Sequence, residues 1–117
     1  MRPWRRGRRT VERVEDAAEA DERVLDHLVQ LGCDPAAPRE SRHFLYLPAR
    51  AGAEAVAEAL SGDGWETAVE ESGEVWLVVA SRVRALTSGL VHETRARLEA
   101  IASDHGGLYD GWEAAAH

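Results

Sequence analysis

Two short stretches constrain the fold of this chain more than any others. RHFLYL, at residues 42–47, and VWLVVA, at residues 75–80, carry large apolar side chains at both parities. A strand with one wet face alternates apolar and polar residues; one that is apolar on both faces belongs inside a sheet. Both stretches are therefore expected to be central strands. In the first, His43, Leu45 and Leu47 point one way and Arg42, Phe44 and Tyr46 the other, until Pro48 ends the strand.

The other segments arrange themselves around these two. Residues 10–31 repeat as a helix, with Val14, Ala17, Ala18, Leu25 and Leu28 on one stripe and Val24 and Leu31 beside it. Glu12, Glu15, Glu19, Glu22 and Asp26 line the other side, and Asp21 reads as the N-cap of a second, better-packed helical segment. Gly32 suits a left-handed helix end, and Pro35 and Pro38 make CDPAAPRE a loop. Residues 51–64 read as a short alanine-rich helix that buries Ala53, Val56, Ala57 and Leu60 and ends at Gly62 and Gly64.

Residues 65–80 read as a hairpin turned by ESG. In its first strand Trp65, Thr67 and Val69 alternate with Glu66, Ala68 and Glu70, a pattern that suits a sheet edge. Thr87 or Ser88 caps a last helix with the stripe Leu90, Val91, Thr94, Leu98, Ile101 and Ala102, closed by Gly106 or Gly107. LYDGWEAA then runs as a final strand. After the first helix the order is strand, helix, strand, strand, helix, strand. This predicts an α+β fold, a ferredoxin-like βαββαβ sandwich with an additional N-terminal helix. Right-handed crossovers put the two doubly apolar strands in the middle, with the final strand beside the first at an edge.

The aromatic tail is unusual for a chain end, because bulky rings are wasted on a segment that frays. Tyr109 and Trp112 are expected to anchor it on the body. Gly111 permits a bend or a close approach, and Asp110 suits bonds to backbone amides in a turn.

The 117 residues suffice for one domain, assigned to 11–117, behind an arginine-rich leader at 1–10 that is expected to be disordered. The leader holds five arginines (Arg2, Arg5, Arg6, Arg8, Arg9) and no acid. The remaining nine arginines face 21 acids, so the body carries −12. Such a body repels phosphate backbones and suits a basic or arginine-rich protein surface. Direct nucleic-acid binding is expected only through the leader. No apolar run is long enough to span a bilayer. A lone Cys33 cannot form an internal disulfide, which favours the cytoplasm.

Catalytic signals are poor. GDG lacks the lysine of a phosphate loop, and no Gly-x-Ser-x-Gly elbow occurs. His27, His43, His92, His105 and His117 show no metal-ligand spacing, so neither a metal nor another cofactor is expected. If the last strand pairs with the first, His43 comes near Tyr109 or Asp110, either to fasten the tail or, in a His–Asp pair, to move protons. Phe44, Tyr46 and Trp76 offer a platform for RNA bases, but EVWLVVAS lacks the basic residue, glycine and paired aromatics of an RNA-recognition motif. The same aromatics suit the extra N-terminal helix or a dimer face. A small-molecule-binding or oligomeric sensory module is the alternative that the fold class leaves open.

DERVLDHLVQLGCD, PRESRHFLYLP, VAEALSGDGWETAVE, VWLVVASR and GGLYDGWE follow one another over residues 21–115. In order and spacing they resemble the ribonuclease E inhibitor RraB family, the B-type regulators of ribonuclease activity. The Tyr-Asp-Gly-Trp run is the most specific element. The resemblance implies a non-enzymatic regulator with a ferredoxin-like domain. It also implies a protein partner, ribonuclease E or its degrading assembly, whose arginine-rich scaffold suits an acidic body. The motif residues it carries over, as family scaffold or partner surface, are Gly32, Asp34, His43, Gly64, Gly107, Tyr109, Asp110, Gly111 and Trp112. Founding-type members also carry a long acidic C-terminal tail, and the arginine-rich leader is not part of their pattern.

Overall fold

The computed structural model describes residues 4–6 and 17–115. Its elements are β1 (Trp4–Arg6), α1 (Ala17–Gln30), β2 (Arg39–Leu47), α2 (Arg50–Gly62), β3 (Glu66–Ser72), β4 (Val75–Arg84), α3 (Ser88–Asp104) and β5 (Leu108–Ala115). All strands pair antiparallel, in the order β1-β5-β2-β4-β3. The run β5-β2-β4-β3 is the ferredoxin-like order, with the two doubly apolar strands, β2 and β4, at its centre.

Two expectations about the sheet margin change. Trp4–Arg6 of the leader forms a strand, pairing Trp4 with Ala115, Arg5 with Ala114 and Arg6 with Glu113. The end of β5 therefore lies inside the sheet instead of forming its edge. Arg2, Arg8 and Arg9, and the helix expected over residues 10–16, lie outside the described residues.

Local chemistry explains the elements. The backbone amide of Cys33 bonds to the Leu28 carbonyl at 2.9 Å and that of Gly32 to Val29 at 2.9 Å. With Gly32 at φ +86°, these bonds close α1 as a Schellman end. Thr87 caps α3, its hydroxyl accepting from the Leu90 amide at 3.4 Å. Along β2 buried and half-buried residues alternate strictly, so Ser41, His43, Leu45 and Leu47 all turn toward the helices. On α2 the buried residues are Ala53, Val56, Ala57 and Leu60, as the periodicity predicts.

The helices cover one face of the sheet. Leu45, Leu47, Val56, Leu60, Val78, Leu98 and Ile101 form the larger core. Val24, Leu25 and Leu28 of α1 pack with Leu86, Val91, Trp112 and Ala114 in a second cluster. Trp76 pairs with Leu47 and packs against the larger core, while Phe44 and Tyr46 point to the opposite face. The three rings therefore do not share a platform, and α1 does not cover Phe44 and Tyr46.

Candidate functional site

The most specific motif, at residues 107–112, works through its backbone. Gly107 is needed for close approach: a Cβ there would lie 2.3 Å from the Tyr46 carbonyl oxygen and 2.5 Å from Leu47 Cδ1. Its amide closes α3 on the Ala102 carbonyl at 2.8 Å. Further along, Leu45 pairs with Tyr109 and His43 with Trp112. Between these pairs β2 has only Phe44, whereas β5 has both Asp110 and Gly111. This is a β-bulge, and Gly111 takes the positive φ of +102° that it requires. In an unbroken strand, residues three apart face opposite sides. The bulge resets the phase, so Tyr109 and Trp112 both turn under the helices, 7% and 0% exposed.

There they meet His43. Its Nδ1 is hydrogen-bonded to Tyr109 Oη at 2.8 Å and its Nε2 to Ser41 Oγ at 3.2 Å. The imidazole stacks on Trp112 with centroids 6.0 Å apart and meets Trp65 edge-on at 5.1 Å. Burial, reinforced by the positive charges of Arg84 and Arg95, pushes the His43 pKa down from 6.5 to about 3. His43 is thus a neutral ring that shares a hydrogen with Tyr109. Burial also raises the Tyr109 phenol well above its ordinary range, so that it stays protonated. The partner of His43 is therefore Tyr109, not Asp110, and a buried ring with so low a pKa is a weak proton acceptor near neutral pH.

A charged pair lies beside this ring cluster. Arg95 donates from Nε to Asp21 Oδ2 and from Nη2 to Asp21 Oδ1, each at 2.7 Å. Trp112 Nε1 donates to the same Oδ1 at 2.8 Å. Burial opposes the charge on Arg95, but the hydrogen bonds and charge of Asp21 outweigh it and hold the guanidinium pKa above normal. Asp21 is fully buried within α1. It is a long-range anchor rather than the N-cap that local sequence suggests. Its position hinted at this, since Asp21 precedes Leu25 by four residues and Leu28 by seven, on the buried stripe.

The other motif residues are separate from this cluster. Gly32 ends α1. Asp34 Oδ1 accepts from the Ala36 amide at 2.9 Å, an Asx turn. Arg39 ties that loop to the end of β5, donating to the Asp34 carbonyl at 3.2 Å and the Ala115 carbonyl at 3.1 Å. Gly64 has φ +97° and lies under the Arg82 guanidinium, which caps the Trp65 ring at 5.3 Å. Asp110 lies half-buried in the bulge. The aromatic and imidazole side chains of the motif are thus fasteners of the scaffold. The tail shows solvent Leu108, 64% exposed, rather than Tyr109 or Trp112.

The cavity beside this cluster, lined by Ser41, His43, Arg84, Thr94 and Trp112 among others, measures about 10 Å³, room for about one water. Among the described residues no group of three His, Cys, Asp or Glu side chains is placed to hold a metal ion. No described helix is long and apolar enough to cross a membrane.

No curated protein matches the chain. A family profile described as "Regulator of ribonuclease activity B" matches residues 18–114, spanning α1 through nearly all of β5. By that match the chain belongs to the RraB family of regulators of ribonuclease activity.

Proposed function

We propose that this chain is a non-catalytic regulator that binds a ribonuclease of the E type, or the RNA-degrading assembly built on one, and restrains its action by occlusion or remodelling. Family membership across residues 18–114 carries the reading. Two physical features support it. The chain outside its first ten residues is strongly acidic, which suits a basic protein partner and disfavours RNA. The cluster of His43 with Tyr109, Trp112 and Trp65 is buried, and burial disfavours a proton on its imidazole, which suits a fastener better than a catalyst.

Affinity purification with the full chain as bait, from a lysate of its own source at low salt, tests this. A ribonuclease or its RNA-degrading partners should be recovered, and the yield should fall as salt screens the charges. Recovery of neither at low salt refutes the proposal.

A further inference from the structure

We propose that Arg82 and Arg84, at the end of β4 beside Trp65, form a binding site for a small, doubly charged oxyanion: a phosphate group, free or on a small ester. The site goes beyond the regulator reading and does not depend on it.

In so acidic a body, arginines are expected to pair with carboxylates. Arg42, Arg50, Arg95 and Arg97 each do. Arg82 and Arg84 differ: among the described residues, no carboxylate lies at ion-pair distance from either. The two are separated by one residue on β4, so they share the face that turns toward the helices. Both are half-buried, and their guanidiniums approach the Trp65 ring to 5.3 and 5.4 Å. Arg84 also donates to Thr94 Oγ1. Opposite Arg84 on β2 stands a third cation, Arg39, which donates to the Asp34 and Ala115 carbonyls. Burial and the charge of Arg82 lower the Arg84 pKa, and the charge of Glu93 acts against them. Trp65 explains why each guanidinium stacks, but it neutralises neither. Like charges gathered without a bonded countercharge cost stability, and such groupings cluster at functional sites.

Charge and room define the ligand. A guanidinium fork matches two oxygens of a phosphate, and two guanidiniums match its two charges, whereas a carboxylate offsets only one. The cavity lined by Arg84, Ser41 and Thr94 has room for about one water, so the anion sits outside it. Beside Arg82 a groove of about 320 Å³ runs past Gly64, Ser81 and the exposed Val83, with space for the remainder of a small ester. Gly64 leaves space for the guanidinium, since a Cβ there would lie 3.1 Å from Arg82 Nη2. Glu40 and Glu66 line the same groove, and Glu93 acts on Arg84 from α3. A single phosphate can seat on the guanidiniums, but a chain of phosphates would have to run on past these carboxylates. The site therefore suits a compact anion and disfavours RNA.

The test titrates inorganic phosphate into the full chain, labelled with nitrogen-15, at an ionic strength held constant with chloride. The Nε–Hε resonances of Arg82 and Arg84, and the amides of Gly64 and Trp65, should shift and saturate. Arg82→Gln should weaken binding about tenfold, as the loss of a charged hydrogen-bonding group does. Arg82→Lys restores the charge and should recover part of that loss. Arg50→Gln removes a cation that pairs with Glu54 instead, and should leave binding unchanged. Ribose 5-phosphate identifies the source of the anion: tighter binding than inorganic phosphate assigns an ester, equal binding assigns the free ion, and either supports the site. Shifts that do not saturate, that centre on other arginines, or that Arg50→Gln reduces as much as Arg82→Gln does would overturn the proposal, since they report screening of surface charge. So would an RNA oligonucleotide that binds the same arginines more tightly than either phosphate. No ribonuclease enters this measurement. A failed titration leaves the regulator reading intact, and a failed lysate capture leaves the anion site intact.

Discussion

Trp112 donates its indole hydrogen to Asp21 across 2.8 Å, joining the last strand to the first helix through side chains 91 positions apart. The same carboxylate receives two hydrogen bonds from Arg95 on α3. Three elements that are distant in the chain meet at one fully buried charge. A buried carboxylate is costly unless it is paired and hydrogen-bonded. Here Arg95 supplies the countercharge and Trp112 occupies a further lone pair, so the tail is part of the pair's solvation.

Asp21→Ala removes the buried countercharge of Arg95, whose side chain is only 13% exposed. The expected loss is about 3–5 kcal/mol, the range for breaking a buried pair from one side. Asp21→Asn keeps an oxygen for Trp112 but not the charge, and should cost less. Urea denaturation followed by tryptophan fluorescence measures both. A loss below about 1 kcal/mol for the alanine variant would mean that the pair is no better than a surface one.

Gly111→Ala forces a Cβ onto a backbone at φ +102°. The expected cost is about 1–3 kcal/mol. The way it is lost is more telling than its size. If the bulge relaxes, Trp112 loses its place over His43, and the near-ultraviolet circular dichroism of the variant should weaken while the far-ultraviolet spectrum persists. An unchanged near-ultraviolet spectrum would show that the bulge does not set the direction of Trp112.

What the sequence made legible follows from what is local. The stripe Ala53, Val56, Ala57 and Leu60 could be read because a helix repeats over one turn, and each of these residues is buried. The alternation around His43 could be read for the same reason, with period two. Trp76 could not be assigned a face: its strand is apolar at both parities, and only pairing with Leu47 puts it under the helices. Asp21 looked like a cap because its partners, Arg95 and Trp112, lie 74 and 91 residues away. The bulge left a trace, since two buried-type rings three apart flank a glycine, which an unbroken strand with one covered face does not accommodate. β1 left none: an arginine-rich segment with no apolar alternation is ordered by the edge it joins.

Gly107 and Gly62 separate close approach from simple flexibility. A Cβ at Gly107 would meet backbone and side-chain atoms at 2.3 and 2.5 Å, whereas at Gly62, the last residue of α2, it meets nothing within 4 Å. Gly107→Ala must push β5 away from β2 and is expected to cost about 2 kcal/mol or more. Gly62→Ala should be neutral, or stabilising by up to about 1 kcal/mol, because it restricts the unfolded chain. Equal melting temperatures for the two variants would contradict the packing seen at the α3–β5 junction.

His43 makes stability depend on pH with a sign that can be worked out. Its pKa is near 6.5 when unfolded and about 3 when folded. Between those values the unfolded chain binds a proton that the folded chain refuses. Stability therefore rises with pH across that window. The contribution is fully present above about pH 6.5 and is lost progressively as the pH falls toward 3. Arg84 and Arg95, the charged groups that act on the ring, keep their charges throughout, so they do not move the window. His43→Gln retains a hydrogen-bonding group beside Tyr109 and Ser41 but cannot titrate. The variant should be less stable at pH 7, because the fitted ring and its contacts with Trp65 and Trp112 are gone, yet it should lose less on going from pH 7 to pH 4 than the parent does. Denaturation midpoints of both proteins at those two pH values decide the matter. Parallel losses would mean that His43 titrates normally, and so is not sealed beneath the tail.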